Sequence, residues 1–542
     1  MLVFSFVLLI LFSGHFTGDS NNITIAQFPD NVDLEVDILT YLGGTEDDRS
    51  WSIAVDNDDN IYITGQTNSD DFPSTYTIGD TLGSNDIFIT KFSSSGSFIY
   101  STIIGGSSSD VPAGIKVDAS GNVYVAGTTY SQDFPIVNGY DPIIEPGNPP
   151  YTYGKDAFIL KLNSAGNSLN FSTYLGDENS DQIYDIAIDQ ENNIYVVGAT
   201  SSPEFPITSN AFDKIYEHSS EGFVTKLSNT GQSIIYSSFV GGEKTESCEA
   251  IALDSNNNMY ITGTTQSAEF PTLNAYSTAF SDDQFCCFVL KLSSGGTLVY
   301  STHVGGTSAE FPDGDFASDI AVDSDGNAYV SGQTSSEDFP LVNEFVDTVA
   351  ANQDGFILKL GPGGNTLEYS SYIGGDYSTS ASNLIVNEYG EVCLLGFTSS
   401  TEFEAIRGNS TYGGGLSDGI IYLLSDAGTP IYSSYFGGGD SDIWGDVAFD
   451  STGRILTAGY TRSAGFPVES AYDENFNGGT FDAFLSVFSY ESLTETSITT
   501  TTTTTADIAG TPGTLMDVVI LGSIGIIAAV VILIFIRKRG SS

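Results

Sequence analysis

Positive charge is scarce in this sequence. Only 16 residues are Lys or Arg, against 69 Asp and Glu, and the formal net charge is −53. A surface this acidic repels phosphate groups, which excludes nucleic acid and anionic lipid headgroups as partners of the main domain. Cations and basic surfaces remain as partners, and a solubilising acidic shell is the plainer explanation.

Signatures of catalysis are also lacking. The three histidines, His15, His218 and His303, stand in unrelated positions and show no metal-binding spacing. No phosphate-binding loop occurs, and carboxylates are so numerous that a glycosidase-like pair arises by chance. The sequence therefore favours a protein that is not an enzyme.

Cysteine is limited to four residues. Cys248 belongs to the same sequence repeat (defined below) as the adjacent Cys286 and Cys287, whereas Cys393 lies two repeats further on. Outside the cell, a disulfide is expected between Cys248 and Cys286 or Cys287, and the sequence leaves the choice open. A bond between Cys248 and Cys286 is the prediction.

Long hydrophobic runs are confined to the two ends. LVFSFVLLILF (2–12) is too short to span a bilayer and precedes small and polar residues, which predicts a signal peptide over residues 1–18. The uncharged run VVILGSIGIIAAVVILIFI (518–536) would span about 28 Å as a helix. Basic residues 537–539 follow, so the positive-inside rule predicts a transmembrane helix over 516–536 and a cytoplasmic tail over 537–542.

This topology places the rest of the chain outside the cell. Residues 491–515 contain a run of seven threonines, which buries no apolar surface and predicts an extended stalk. Sequons for N-glycosylation begin at Asn22, Asn170 and Asn409. The sequence thus predicts a single-pass cell-membrane protein with an extracellular N-terminal domain.

One segment recurs seven times between the two ends. A Gly follows a strand-like run, as in YITGQT and YVAGTT, at spacings of 62, 71, 65, 64, 69 and 63 residues. A Phe stands seven residues after each of these glycines, and Pro follows the Phe in six of the seven copies. The glycines are Gly65, Gly127, Gly198, Gly263, Gly332, Gly396 and Gly459.

Each copy holds four short strand-like runs. In the second copy they are IKVD (115–118), VYVAGTT (123–129), DAFILKL (156–162) and LNFSTYL (169–175). Their alternation and their β-branched and aromatic residues are typical of half-buried strands, and no copy shows a helical period. The repeats therefore predict an all-β fold, a seven-bladed β-propeller with four-stranded blades over residues 37–490.

The two ends of the repeat array complement each other. DILTYLGG (37–44) matches the fourth strand of a copy, and the last copy stops after its third strand-like run, FDAFLSVF (481–488). The N-terminal strand is therefore expected to complete the last blade. This closes the ring and leaves no strand edge exposed there.

These recurring segments resemble the SBBP β-propeller repeats of secreted prokaryotic proteins. The likeness rests on YSTYLGG-like, IAVDxxGNxYVxGxTxSxDFP-like and DAFxxKL-like segments that recur in order over about residues 37–488. Departures are Asp177 in YLGD, the cysteine pair of the fourth copy and a degraded sixth copy. The resemblance implies a propeller in an extracellular setting and brings no catalytic residue with it.

The stretch DSDGNAYVSG, which starts at Asp323, begins like a calcium loop. Its Gly comes fourth rather than sixth, and other copies place Ser120, Tyr389 or Thr452 where the second oxygen ligand would stand. The next position is Asp, Asn or Gly in every copy, and these residues tolerate a left-handed backbone. A tight hairpin turn is therefore predicted.

A second acidic position lies in the loop after the paired glycines. If the first strand of each copy is innermost, these loops lead to the central channel, where the acids would form a ring that binds a cation such as Ca²⁺. Alternatively, each carboxylate caps backbone N–H groups of its own loop. The six acidic residues are Asp48, Asp110, Asp181, Glu246, Asp315 and Asp442.

Two further sets of residues have candidate roles. Trp51 and Trp444 flank the first strands of two blades that meet where the ring closes, and they either form a sugar platform or pack in the core. A lysine in the third strand of five copies predicts an ion pair with a carboxylate of its own or the next blade. These lysines are Lys91, Lys161, Lys226, Lys291 and Lys359.

The loops between the second and third strands vary most in length and share a face with the acidic loops. Variable loops on a rigid scaffold are where binding usually resides. The first hypothesis is a membrane-anchored surface propeller that binds an extracellular protein or glycan, or that serves as a structural envelope component. The alternative is an extracellular polysaccharide hydrolase or lyase that uses carboxylates such as Asp110 and Asp181.

Overall fold

The computed structural model describes residues 33–79, 83–144, 155–217, 219–279, 284–307, 314–349 and 353–490. The predicted signal peptide, Asn22, the stalk, the transmembrane helix and the cytoplasmic tail all lie outside these residues. Within them, no helix is both long and apolar enough to cross a membrane.

The described chain forms seven antiparallel sheets of four strands each, with one extra strand in the first sheet. These sheets are blades 1 to 7, numbered in the order of their first strands. The first strands are β2 (Asp48–Val55), β7 (Asp110–Val117), β11 (Asp181–Ile188), β15 (Glu246–Leu253), β19 (Asp315–Val322), β23 (Thr379–Val386) and β27 (Asp442–Phe449). The second strands are β3 (Ile61–Thr67), β8 (Val123–Thr129), β12 (Ile194–Thr200), β16 (Met259–Thr265), β20 (Ala328–Thr334), β24 (Val392–Thr398) and β28 (Ile455–Thr461).

The outer half of each blade consists of its third and fourth strands. The third strands are β5 (Asp86–Phe92), β9 (Asp156–Leu162), β13 (Glu221–Leu227), β17 (Cys286–Leu292), β21 (Asp354–Leu360), β25 (Asp418–Leu424) and β29 (Asp482–Ser489). The fourth strands are β6 (Phe98–Gly105), β10 (Leu169–Leu175), β14 (Ile234–Val240), β18 (Leu298–Val304), β22 (Leu367–Ile373), β26 (Pro430–Phe436) and β1 (Glu35–Leu42). The extra strand, β4 (Tyr76–Gly79), pairs parallel to β6 and was not expected.

The N-terminal strand completes the last blade, as predicted. β1 pairs antiparallel with β29, with Thr40 opposite Leu485. The Tyr41 hydroxyl donates to the carbonyl of Ser463 at 2.6 Å and accepts from the N–H of Phe466 at 3.1 Å. The junction at which β1 and β29 meet blade 1 is called the seam below.

The core lies between neighbouring blades. The second and third strands are buried on both faces because each blade is covered by a blade on either side. The repeated Phe packs onto a Phe of the third strand, as Phe72 does on Phe88, with ring centroids 4.6 Å apart. The Phe-Pro signature of the sequence is therefore a packing element that fixes each second-to-third loop to its own blade.

The stretch at Asp323 is a hairpin turn, as predicted. Gly326 has φ +84°, and Oδ1 of Asp323 accepts the N–H groups of Asp325 and Asn327 at 3.0 and 2.9 Å. The same left-handed position recurs in the other copies, at Asp59, Gly121, Asn192, Asn257, Gly390 and Gly453. The carboxylate of Asp323 thus stabilises the turn itself.

All five third-strand lysines form ion pairs within their own blades, and Lys359 also pairs with Asp426 of the next blade at 2.5 Å, so both expected arrangements occur. Lys226 Nζ lies 3.2 Å from Oδ2 of Asp189 and 4.6 Å from the ring centre of Tyr195. The equivalent pairs join Lys91 to Asp56, Lys161 to Asp118, Lys291 to Asp254 and Lys359 to Asp323. Blade 7 substitutes Arg454, which pairs with Asp450 at 2.6 Å.

Candidate functional site

The acidic residues predicted to form a ring are the first residues of the first strands in six blades, and Thr379 takes this position in blade 6. These residues lie at the end of the propeller that also carries the second-to-third loops, here called the loop face. Asp181 is representative: it accepts the N–H of Asp177 at 2.9 Å, the hydroxyl of Ser202 at 2.9 Å and the hydroxyl of Thr200. Each of the six therefore holds the loop that leads into its own blade.

A second carboxylate faces this position across most blade junctions. It is the first residue of the preceding blade's third strand, and the first Gly of the paired glycines separates the two. A Cβ on Gly105 would meet Oδ1 of Asp86 at 2.0 Å and Oδ2 of Asp110 at 3.1 Å. Glu221 and Glu246 flank Gly241 in the same way. Only Gly leaves room for both acids.

Burial of these groups raises their pKa values. Desolvation raises the pKa of Asp110 to about 6 and of Asp181 to about 7, although hydrogen bonds from Thr and Ser hydroxyls and from loop N–H groups act in the opposite direction. Desolvation also raises the pKa values of Asp48, Asp315 and Asp442 to about 6, and it raises the pKa of Glu246.

The predicted cation ring is not formed. Each of the six carboxylates is buried and is bonded to its own loop at a separate blade junction. Among the described residues, no three His, Cys, Asp or Glu side chains come together as a metal site. The physical reason is that each carboxylate is held by hydrogen bonds from its own loop and from a Ser hydroxyl of its own blade, as Asp110 is by Gly106 and Ser131.

Three carboxylates of the first strands, which the sequence analysis missed, interact with one another electrostatically across the ring. Asp185, Asp319 and Asp446 stand four positions after an acid of the predicted register, at a β-bulge in the first strand. Asp319 accepts the N–H of Ile320 and, from the next blade, that of Leu384, both at 2.7 Å. They thereby satisfy backbone groups that the bulges release. In the sequence, each of them could have been recognised as an Asp four residues after the acid that begins the first strand.

The predicted disulfide is absent, and all four cysteines are free and buried. The sulfur of Cys248 packs against Gly222 of the preceding blade. The sulfur of Cys286 lies beside Gly305, where burial and then the charge of Asp315 from the following blade raise the pKa of its thiol. The two thiols thus contact different neighbours, so the prediction of a Cys248–Cys286 bond was wrong.

The two tryptophans do not form a sugar platform. Trp444 is 3% exposed and stacks on Phe436 at 4.7 Å, and Trp51 packs edge-on against Tyr460 at 5.3 Å. Asn170 and Asn409 are exposed, so both sequons within the described residues are accessible. Glycosylation at these positions stays a prediction.

A cleft of about 380 Å³ opens on the loop face at the seam. It joins the loop between β1 and β2, the Phe-Pro segment of blade 1 and the second-to-third loop of blade 7. Its lining residues are Gly43, Gly44, Thr45, Asp71, Pro73, Tyr472, Asp473 and Asn477. Sequence reasoning missed this cleft because its two sides are separated by most of the chain.

Tyr472 is the aromatic residue of the cleft. Its side chain is 43% exposed, and its ring stacks on Phe98 at 5.1 Å and lies edge-on to Phe92 at 5.8 Å. The neighbouring Asp71 accepts both the N–H and the hydroxyl of Thr45, at 2.8 and 3.0 Å. These hydrogen bonds lower the pKa of Asp71. The cleft thus presents a held aromatic ring beside an ionised carboxylate.

Seven four-stranded blades in a closed ring make this chain a seven-bladed β-propeller. The model of the SBBP beta-propeller repeat matches residues 38–73, 99–135, 170–206 and 299–340. Four of the recurring segments therefore match the SBBP repeat, the family that the sequence resembled.

Other similarities are more distant. An uncharacterized WD repeat-containing protein of Acanthamoeba polyphaga mimivirus is 27% identical over 203 residues, which cover 34% of this chain and 14% of that protein. A protein of unknown function from Dyadobacter fermentans is 10% identical, covers 84% of this chain and 99% of its own, and has a TM-score of 0.41. Quinohemoprotein alcohol dehydrogenase from Comamonas testosteroni is 10% identical at a TM-score of 0.38, with 84% and 76% covered.

Proposed function

We propose that this protein is a cell-surface propeller that binds a glycan in the seam cleft. The observation that carries the proposal is the ring of Tyr472, which is held by Phe98 and Phe92, is 43% exposed and lines the cleft. A sugar stacks its C–H face on such a ring and gives its hydroxyls to nearby polar groups. Asp71, Asp473 and Asn477 line the same cleft.

The size and charge of the cleft favour this ligand class. A volume of about 380 Å³ is within the usual range of small-ligand sites. Carboxylates accept hydrogen bonds from hydroxyl groups, whereas they repel phosphate and other anions. A neutral or hydroxyl-rich saccharide therefore suits the cleft better than an acidic polymer does.

The ends of the sequence support a position at the cell surface. The apolar run 2–12 would direct export, and the run 518–536 followed by basic residues would hold the chain in the membrane. The Thr-rich segment 491–515 would then separate the propeller from the bilayer.

The enzymatic alternative has no comparable support. Asp110 and Asp181, the acids proposed for it, are fully buried behind their own loops. A polysaccharide on the loop face would therefore not contact either carboxylate. Binding without turnover is the proposal that the geometry favours.

A glycan-array screen of the protein, followed by incubation of each bound glycan with the protein, tests this proposal. The expected outcome is selective binding with the glycan recovered intact. Cleavage of a bound glycan would replace the proposal with the enzymatic alternative. Capture of a protein partner on the loop face, with no glycan bound, would also overturn it.

A further inference from the structure

The loop before the third strand of blade 7 has the spacing of a calcium loop. In DENFNGGTFD (473–482), oxygen-bearing side chains occupy alternate positions, at Asp473, Asn475 and Asn477. Gly478 follows in sixth place, and Asp482 ends the segment. Calcium loops place ligands at positions 1, 3 and 5, a glycine at 6 and a carboxylate further on.

The fold brings these side chains together. Oδ1 of Asp473 accepts the N–H of Asn475 at 3.0 Å, and Oδ2 of Asp473 lies 2.6 Å from Nδ2 of Asn477. Oδ2 of Asp482 accepts the N–H of Asn477 at 2.6 Å. Rotating the Asn477 amide by half a turn presents its oxygen with no change of shape. Oxygens from positions 1 and 5 and the closing carboxylate then face one another.

One buried carboxylate oxygen of this loop has no partner among the described residues. Oδ1 of Asp482 accepts no hydrogen bond there and its side chain is 0% exposed, whereas the neighbouring Asp48 accepts hydrogen bonds from Gly44, Ser69 and Thr67. The two carboxylates meet at Gly43, whose Cβ would lie 3.0 Å from an oxygen of each. Burying unpaired carboxylate oxygens is costly, and a bound cation removes that cost.

The cleft supplies room for the ion and its water. Asp473, Asn477 and Gly43 all line it, and the carbonyl of Gly43 lies 3.4 Å from Nδ2 of Asn477. Ca²⁺ takes six to eight oxygen ligands and accepts carboxylate, amide, carbonyl and water oxygens together. This donor set is mostly neutral, so it is compatible with the absence of any group of three His, Cys, Asp or Glu in the described residues.

The equivalent loop of blade 6 shows that the loop shape does not require these side chains. NSTYGGGLSD (409–418) has the same spacing, and the N–H of Gly413 likewise donates to Oδ2 of Asp418. Gly414 and Gly415 have φ +139° and +73°, close to the +152° and +62° of Gly478 and Gly479 in blade 7. Blade 6 builds the same turn with Asn, Thr and Gly at positions 1, 3 and 5.

We propose that the loop 473–482 binds one Ca²⁺ through Asp473, Asn475, Asn477 and Asp482. The ion ties the second-to-third loop of blade 7 to the β1–β2 connection at Gly43, and so stabilises the closed ring. This site is separate from the ring predicted at the first strands. It shares Asp473 and Asn477 with the proposed glycan cleft, and its calcium titration is made without any glycan.

The test is calorimetric titration of the full-length protein with CaCl₂, together with its melting temperature in calcium at fixed ionic strength. A matched variant carries Asp473→Asn, Asn475→Thr and Asn477→Gly, which gives blade 7 the residues of blade 6 and preserves the turn. We expect one saturable site with a Kd of about 10⁻⁴ to 10⁻³ M, as in extracellular modules. We also expect a higher melting temperature in calcium, and loss of both effects in the variant.

The design separates a specific site from diffuse attraction to the acidic surface. A calcium effect that is equal in the wild-type protein and the variant would overturn the proposal, because the variant keeps nearly all of the negative charge. A wild-type melting temperature that is unchanged in millimolar calcium would also overturn it. If the variant melts at the wild-type temperature in calcium-free buffer, its loss of response is not due to misfolding.

Discussion

The hydroxyl of Ser52 in blade 1 donates to Oδ2 of Asp446 in blade 7 at 2.6 Å. The same oxygen accepts the N–H of Ile53 at 3.2 Å, and the other oxygen of Asp446 accepts the N–H of Val447 at 2.7 Å. One carboxylate thus satisfies donors on both sides of the seam. The ring is closed near its axis by this contact as well as by the pairing of β1 with β29.

Asp446→Ala is therefore expected to destabilise the protein strongly. The change leaves three donors without an acceptor, and each buried unsatisfied donor costs about 1–3 kcal/mol, so the free energy of unfolding should fall by about 3 kcal/mol or more. Urea denaturation measures the loss. Asp58→Ala, an exposed acid in a turn, is the control and should change the free energy by less than about 0.5 kcal/mol. Equal losses in the two variants would refute this role of Asp446.

The seam should be as well formed as any other blade. Tyr41 in β1 and Tyr372 in blade 5 each donate to a serine carbonyl of their own blade, at 2.6 and 2.8 Å. Tyr41→Phe and Tyr372→Phe should therefore lower the free energy of unfolding by similar amounts, about 1 kcal/mol. No loss for Tyr41→Phe beside a clear loss for Tyr372→Phe would indicate that β1 is not docked.

Stability should fall as pH rises from about 4 to 7. Burial raises the pKa of Asp110 and Asp315 to about 6 and that of Asp181 to about 7, so the folded state binds more protons than the unfolded state in this window. Their favourable contribution is complete below pH 4 and is lost as pH rises through the folded-state values. Melting temperatures at pH 5 and 7.5 test this, and Asp181→Asn should reduce the difference.

An opposite set of groups sets the acidic limit. Desolvation is the largest single effect and acts to raise the pKa of Asp118 and Asp189, but hydrogen bonds from the Asn side chain and N–H groups of the turn, together with lysine, outweigh it and lower both pKa values. The stability they contribute is present above pH 4 and is lost below it. The melting temperature should therefore be highest near pH 4 to 5. A steady rise from pH 5 to 8 would contradict the raised pKa values, and no loss of stability below pH 4 would contradict the lowered ones.

The turn at Asp323 should tolerate changes that a calcium loop would not. Gly326→Asn should cost little because Asn192 and Asn257 occupy the same left-handed position in other copies. Gly326→Val should cost about 1–3 kcal/mol, since β-branched residues are strained there. Asp325→Ala should melt at the wild-type temperature both with and without calcium. A lower melting temperature than the wild type in calcium alone would indicate that the turn binds calcium.

The repeats made most of the fold predictable. Seven copies in register identified the blades, the closing strand and the hairpin turns, and the lysine register identified ion pairs such as Lys226 with Asp189. These features are local or recur at a fixed period, so the seven copies show each of them several times within one sequence. The same regularity predicted the acidic register but not the direction in which its side chains point.

The seam cleft could not be predicted in the same way. Thr45 and Tyr472 lie on its opposite sides, and no periodic pattern relates two residues that meet only because the ring closes. The cysteine prediction failed for a similar reason, because sequence spacing does not show that Cys248 packs against the preceding blade. Contacts made across a junction depend on the blade arrangement rather than on the repeat.

The most direct test of the central claim is titration of the glycan identified by the array against variants at Tyr472. Tyr472→Ala removes the exposed ring and should weaken binding by about tenfold or more, since such contacts contribute about 1–3 kcal/mol. Tyr472→Phe keeps the ring and should bind nearly as well as the wild type. Tyr389→Ala, which removes an exposed tyrosine on the opposite end of the propeller, should have no effect. Equal affinities for Tyr472→Ala and Tyr389→Ala would contradict glycan binding in the seam cleft.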